Sequence, residues 1–193
     1  MSKSRLEAFT DGVIAIIITI MVLELKTPDG GDWASLQPVI PVLILYILSF
    51  VFIAIYWNNH HHMLHATQHV SGAVLWANNH LLFWLSLVPF VTAWMGEHHR
   101  LPIPTAAYGI VLLMAAVAYT ILQRQLLARE GPHSRLAKAV GTDFKGYLSL
   151  TLYTTAIPLA FVNTWISDAL YLAVALIWLV PDPRIERQGE ATP

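Results

Sequence analysis

Two charged side chains precede a segment that is otherwise apolar. Arg5 and Asp11 stand at the head of an apolar run that continues to Leu23. Because unpaired charge is costly inside a bilayer, we expect each of them to face protein or water and to have a partner. Their spacing places them on different faces of a helix, so these partners are expected on other helices or subunits. The alternative is that Arg5 extends to the lipid headgroups while Asp11 lies at the interface.

Large apolar side chains recur along the same segment. Ile16, Ile20 and Leu23 follow the spacing i, i+4 and i+7, and Thr19 lies beside them as the one hydroxyl in mid-segment. On a membrane helix such a stripe commonly packs on neighbouring helices or faces lipid. Several copies arranged around an axis would instead form a hydrophobic constriction, which gates by dewetting. The stripe by itself leaves both interpretations open.

Histidines cluster at the end of the second apolar segment. His61, His65 and His69 would share one helical face at i, i+4 and i+8. Neutral imidazoles at this spacing can hold zinc or another transition metal. The cluster contains no carboxylate, although hydrolytic metal sites usually need one as a ligand or general base. A metal here would therefore indicate binding or transport rather than catalysis, and a pH-sensitive polar helix end is the simpler interpretation.

Composition limits the class of protein. The chain is 56% hydrophobic and 12% charged, with a mean hydropathy of +0.56, which is typical of an integral membrane protein. The absence of cysteine excludes disulfides and thiolate metal sites. A net charge of -1 gives no indication of nucleic-acid binding. There is no Walker loop, GxSxG, HExxH or TVGYG sequence, so we expect no enzyme, no cofactor and no carbonyl-ring potassium filter.

Six apolar segments predict an all-α chain of six membrane-spanning helices that form a single unit over residues 1–193. The predicted spans are about 5–25, 38–62, 72–95, 103–127, 146–163 and 166–180. Pro89 is expected to kink the third span. Ser4 and Glu7 fit a capping box at the start of the first span. A short helix is expected over Ser134 to Val140.

The distribution of basic residues predicts the orientation. Nine of the 11 lysines and arginines lie at the two termini or in the loop after the fourth span, which leaves only Lys26 and Arg100 on the other side. By the positive-inside rule, both termini are expected in the cytoplasm. We expect a multi-pass protein of the plasma membrane, specifically of a bacterial inner membrane.

The start of the chain also resembles a known family. Arg5-x-x-x-Phe9-Thr10-Asp11-Gly12 is similar to the Arg-x-x-x-Phe-Ser-Asp-Gly motif of the transmembrane protein 175 family of potassium channels. The similarity extends along the first helix to Pro28, and two further motifs resemble the family: Trp57-x-x-His60, and Asn78 followed by Leu87-Val88-Pro89-Phe90-Val91-Thr92. These motifs cover about the first half of the chain.

The resemblance implies a potassium-preferring cation channel, built as a homotetramer of six-helix subunits around a pore lined by helix 1. Ile16 would form the narrowest ring, with Ile20 and Leu23 as further apolar rings and Thr19 in support of selectivity. A polar network would fix the pore helix, and its members would be Arg5, Phe9, Thr10, Asp11, His60 and Asn78. The expected partners are further copies of the chain, the lipid bilayer, and potassium and other monovalent cations.

Other functional classes remain open from the sequence. A histidine-based intramembrane metal-binding protein, or a metal or cation transporter, would use His61, His65 and His69. A secondary transporter is less consistent with the chain, because there is no internal repeat and no pair of broken helices.

Overall fold

The structure, a computed structural model, describes residues 2–67, 70–98 and 100–179. Within these ranges the regular elements are helices, and no strand occurs. The helices are α1 Lys3–Leu23, α2 Trp33–Leu36, α3 Ile40–His65, α4 Gly72–Ser86, α5 Val88–Glu97, α6 Pro102–Glu130, α7 Arg135–Val140, α8 Phe144–Leu159 and α9 Thr164–Leu179. A 3-10 turn over Gln37–Val39 joins α2 to α3. The chain is therefore all-α over its described part.

Four segments of the described chain are long and apolar enough to cross a membrane. They are Lys3–Leu23, Trp33–His65, Gly72–Glu97 and Pro102–Glu130. α8 and α9 have 16 residues each, or roughly 24 Å at 1.5 Å per residue. Both are shorter than a hydrocarbon core of about 30 Å. These two helices pack on each other and on α6.

Pro89 has the effect that its position predicts. The third predicted span is divided into α4 and α5 at Leu87, and Pro89 lies in the first turn of α5. Proline lacks the backbone donor of a helical residue, and its ring clashes with the preceding turn. The short helix expected after the fourth span is also present, as α7, with the Ser134 hydroxyl accepting a hydrogen bond from the Ala137 backbone N–H.

The predicted capping box is wrong. α1 begins at Lys3, so Ser4 already lies within the first turn. Ser2 is the residue at the N-cap, with extended backbone angles, and its side chain makes no capping hydrogen bond. Its hydroxyl instead lies 3.2 Å from that of Ser4. The error comes from the helix starting earlier than the capping pattern indicates.

α6 lies at the centre of the bundle, in contact with α4, α5, α8 and α9. Fully buried Ala115 and Ala118 present small side chains, which let neighbouring backbones approach closely. Buried hydroxyls join the helices as well: the Ser49 hydroxyl of α3 lies 2.8 Å from that of Thr92 and 3.0 Å from that of Tyr108. The core is thus centred away from α1, which packs on α3, α4 and α5 at the edge of the bundle.

Candidate functional site

α1 has one covered side and one uncovered side. Its buried residues are Leu6, Thr10, Ile14, Ile17 and Met21. On the other side, Ile16 is 59% exposed, Ile20 42% and Leu23 81%. The stripe Ile16–Ile20–Leu23 therefore lies on the part of the helix surface that α3, α4 and α5 leave uncovered. The apolar stripe predicted from the sequence is therefore available to a surface outside this chain.

Thr19 lies among these exposed side chains. Its hydroxyl donates to the backbone carbonyl of Ile16 at 2.8 Å. This local bond satisfies the donor and leaves the oxygen free to accept. The exposed side of α1 therefore carries a polar acceptor between apolar side chains.

A buried chain of hydrogen bonds joins α1 to α3 and α4. The Asn78 side-chain amide donates to the Thr10 hydroxyl at 3.0 Å, and its Oδ1 lies 2.7 Å from His60 Nε2. Because Oδ1 is an acceptor, Nε2 of His60 must carry the proton that it donates. All three residues are buried. Thr10, His60 and Asn78 of the predicted network are thus brought together, one from each of three helices.

The other predicted members of the network lie outside this chain of bonds. The Asp11 carboxylate accepts from the Trp57 indole N–H at 2.9 Å, at an exposed position, and is bonded neither to Arg5 nor to His60. Arg5 and Phe9 are exposed. Within residues 2–67, 70–98 and 100–179, the side chain of Arg5 makes no hydrogen bond or ion pair. Within this chain Arg5, Phe9 and Asp11 therefore lie outside the buried hydrogen bonds of Thr10, Asn78 and His60.

Sequence reasoning missed Trp57 as the partner of Asp11. The Trp57-x-x-His60 spacing places both residues within one turn of α3. A signal was thus present in the sequence. It could not be interpreted without knowing that α3 contacts α1.

The ring of His61 stacks on Trp57 and is tilted against the ring of His65. The His61 ring centroid lies 6.2 Å from that of Trp57 and 6.1 Å from that of His65. His69 lies outside the described residues. Over the part of the chain that the structure describes, no group of three or more possible metal ligands is found. Because His69 is outside the described residues, the alternative of a metal site at His61, His65 and His69 stays a prediction.

An ion pair lies beyond the far end of α1. Lys26 Nζ contacts Glu97 Oε1, which connects the segment after α1 to the end of α5. The hydrogen bond and charge of Glu97 raise the pKa of Lys26 above its usual value. Both side chains are well exposed, so the pair is expected to contribute little to stability.

The sequence of this chain is similar to a known family model and to two potassium channels. A family model described as the endosomal/lysosomal potassium channel TMEM175 matches residues 5–89. The chain is 54% identical to a potassium channel of Chryseobacterium sp. (strain P1-3) over 187 residues, which cover 97% of each chain. It is 32% identical to a potassium channel of Streptomyces collinus over 188 residues, which cover 91% of each.

A solved structure resembles the whole fold. The crystal structure of a lysosomal potassium-selective channel TMEM175 homolog from Chamaesiphon minutus matches with a TM-score of 0.81 and 28% identity, over 92% of this chain and 96% of that one. The fold and its relatives therefore define a multi-pass membrane ion channel, not an enzyme. The chain belongs to the TMEM175 family of potassium channels.

Proposed function

We propose that this chain forms a homotetrameric, potassium-preferring cation channel that conducts passively through a central pore lined by α1. The observation that carries the proposal is the uncovered side of α1, where Ile16, Ile20 and Leu23 are exposed. The names of the relatives, which are potassium channels over nearly the full length of the chain, support the choice of ion.

The polar groups on the uncovered side of α1 favour a pore over a lipid contact. Thr19 is exposed beside Ile16, and Asp11 is exposed at the boundary with the covered side, where it accepts from Trp57. A carboxylate or hydroxyl facing hydrocarbon costs free energy, whereas both are solvated in a water-filled pore or at a subunit contact. Arg5 is also exposed and lacks a partner among the described residues. In the proposed tetramer, Arg5 and Phe9 complete the polar network across the subunit interface.

Hydrophobic rings would act as both gate and filter. A ring of Ile16 side chains is the narrowest point, and rings of Ile20 and Leu23 lie further along the axis. An ion that passes such a ring loses part of its hydration shell, and a narrow apolar ring closes by dewetting. Potassium holds its water less tightly than sodium, so this loss disfavours sodium more. The Thr19 oxygen replaces part of the missing water near the ring.

The proposed topology has six membrane spans with both termini in the cytoplasm of a bacterial cell. The four long segments support the first four spans. α8 and α9 form the fifth and sixth spans as a short hairpin, in which α9 is strongly apolar. The concentration of basic residues at the termini and in the loop after α6 supports this orientation.

Flux in proteoliposomes tests the proposal. We expect a potassium gradient to drive flux that exceeds the flux driven by an equal sodium gradient, without saturation and without a requirement for a counter-ion. Proton gradients and protein-free liposomes serve as controls. Saturable, counter-ion-coupled flux would identify a transporter, and no flux above that of protein-free liposomes would contradict a channel.

A further inference from the structure

An open apolar groove lies between the end of α6 and α7. Its volume is about 500 Å³, which is within the range of roughly 300–1,000 Å³ that ligand pockets occupy. The apolar side chains that line it are those of Leu127, Ala128, Pro132, Ala137 and Val140. Because none of its described lining residues belongs to α1, the groove is separate from the proposed ion pathway.

Two glycines with positive φ angles shape this groove. Gly131 follows α6 at φ 85°, Gly141 follows α7 at φ 55°, and both line the groove. Glycine adopts such angles without steric cost, so the chain can reverse after each helix. α7 is held in place by Leu136, which is 1% exposed, and by the Ser134 hydroxyl at its N-cap. The walls of the groove are therefore fixed by the fold.

In the proposed topology, the groove lies at the level of the cytoplasmic lipid headgroups. Residues 102–123 of α6 contain no charged side chain, and at 1.5 Å per residue this part of the helix is roughly 33 Å long. It is thus long enough to span a hydrocarbon core of about 30 Å, and the end of α6 extends beyond it. Arg124 is the first charged residue of α6, and its Nη2 donates to the hydroxyl of the exposed Tyr147 at 3.3 Å. Exposed aromatic side chains of this kind are typical of a membrane interface.

Two exposed basic side chains lie next to the groove. Arg129 directly follows Ala128, Lys138 directly follows Ala137, and both alanines line the groove. Among the described residues, the side chains of Arg129 and Lys138 make no hydrogen bond or ion pair. Residues 124–145 include five lysines and arginines but only two acidic residues. One of these acids, Glu130, is half-buried and already interacts within the chain. The groove therefore combines an apolar floor with positive charge at its edge.

We propose that this groove binds one anionic phospholipid of the cytoplasmic leaflet. The lipid phosphate would accept hydrogen bonds from Arg129 and Lys138, and the first part of an acyl chain would lie on Leu127, Ala128 and Val140. Hydrogen bonds between a basic side chain and a phosphate are charge-assisted and strong, and basic segments beside a membrane are attracted to anionic lipids. A free phosphate ion would leave the apolar floor uncovered, and a neutral lipid would leave the two charges without a partner. The inference rests on the proposed topology but not on the pore or its ion selectivity.

The orientation of the chain is a simpler explanation for basic residues in this loop. The positive-inside rule places lysines and arginines on the cytoplasmic side. It requires neither a groove nor a preference for one lipid at one place. Selective binding that is lost with particular side chains therefore separates a lipid site from an orientation signal.

Native mass spectrometry of the purified protein in a neutral detergent tests the proposal. Phosphatidylglycerol and phosphatidylcholine with the same acyl chains are titrated in parallel, and the lipids bound per chain are counted. We expect one phosphatidylglycerol per chain to bind at least about tenfold more tightly than phosphatidylcholine, because the choline ammonium cancels the attraction to the two basic side chains. Equal affinity for the two lipids, or no bound lipid, would overturn the proposal. Displacement of phosphatidylglycerol by millimolar inorganic phosphate would also overturn it, since the apolar floor would then contribute nothing.

Charge variants locate the headgroup. Arg129→Gln and Lys138→Gln should each weaken phosphatidylglycerol binding by about fivefold, and the double variant should weaken it by roughly 30-fold. The matched control is Lys3→Gln, which removes one positive charge from the same proposed side of the membrane but lies on α1. It should leave the affinity unchanged. Unaltered affinity in the double variant, or an equal loss in the control, would overturn the site.

A variant of the floor locates the acyl chain. Ala128 is exposed near the end of α6, so Ala128→Glu should leave the melting temperature almost unchanged. A carboxylate in the groove repels the lipid phosphate and removes apolar contact, so we expect phosphatidylglycerol to bind at least about tenfold more weakly. Binding of Ala128→Glu at the wild-type level would contradict a lipid in this groove.

Discussion

The covered and uncovered sides of α1 make different kinds of contact, although their residues are neighbours in the sequence. The covered side places Thr10 in a buried hydrogen-bonded chain with Asn78 and His60. The uncovered side presents Ile16 and Thr19, which make no hydrogen bond to another helix. Directional bonds fix the rotation of a helix, whereas exposed apolar side chains leave it free to contact another surface. The covered side therefore positions α1, and we propose that the uncovered side lines the pore.

In a membrane, the polar groups on the covered side of α1 determine how this helix packs on its neighbours. Hydrophobic burial does not drive helix association within lipid, so packing and interhelical hydrogen bonds determine which helices pair. Asn78 is fully buried and bonds to two helices at once. Variants on the covered side should therefore change stability, and variants on the uncovered side should change flux.

The largest difference is expected between two consecutive residues of α1. Ile17 is 3% exposed and Ile16 is 59% exposed. Ile17→Asn removes core packing and buries an amide without a partner, and we expect it to destabilise the fold by about 3–5 kcal/mol. Ile16→Asn should leave the melting temperature almost unchanged. In liposomes it should raise conductance several-fold and lower the preference for potassium over sodium, because a polar ring no longer dewets.

Thermal melting in detergent and gradient-driven flux in liposomes measure both halves of this comparison. Unchanged flux and selectivity for Ile16→Asn would remove Ile16 from the pore. A loss of stability for Ile16→Asn equal to that of Ile17→Asn would mean that the two sides of α1 do not differ in the way described.

The second prediction concerns the centre of the buried chain of bonds. Asn78→Leu leaves both His60 and Thr10 without their partner, and we expect a loss of about 2 kcal/mol of stability. Asn58→Leu is the matched control, because Asn58 is exposed on α3. Melting temperatures of the two variants provide the measurement. If both melted alike, the buried chain would not be what holds α1 in place.

The third prediction addresses the boundary between the two sides. Asp11 bonds to Trp57 at an exposed position, and we propose that its charge also serves the contact between subunits. Asp11→Ala should therefore impair assembly more than permeation, at a cost of roughly 1–2 kcal/mol. Size exclusion in detergent measures assembly, and flux per assembled channel measures permeation.

A second substitution at the same position separates the hydrogen bond from the charge. Asp11→Asn keeps an acceptor oxygen for the Trp57 indole and removes the carboxylate charge. Weak assembly of both variants would assign the role to the charge. Assembly of Asp11→Ala at the wild-type level would refute the role proposed for Asp11.

The sequence predicts what depends on a single helix and misses what depends on how helices meet. The spacing of Ile16, Ile20 and Leu23 fixes their common direction, because one helical period relates them wherever the helix packs. Pro89 predicts a break by its own covalent chemistry. The family resemblance supplied His60 and Asn78 as members of a network. The packing of α1 against α3 and α4 then decides which predicted members are linked.

The contacts that sequence reasoning did not supply involve residues far apart in the chain. Asp11 meets Trp57 only because α1 lies beside α3. Tyr56, Tyr119 and Tyr153 converge on one cavity only because α3, α6 and α8 surround it. No local period relates such residues. These contacts therefore become visible only with the packing of the bundle.

The smallest effect is expected at the exposed ion pair beyond the far end of α1. Lys26 is widely exposed, and its contact with Glu97 is screened by solvent. The variants Lys26→Gln and Glu97→Gln should both have the melting temperature and the conductance of the wild type. Because the pKa of Lys26 is raised from 10.5, any stabilisation from its charge is present below the unfolded-state pKa and is lost as the pH rises through the folded-state value. The contribution of this pair to the free energy of unfolding should therefore not change between about pH 6 and pH 8. A fall of several degrees in the melting temperature of either variant would instead mean that α1 is held at both ends, by Asn78 at one and by this ion pair at the other.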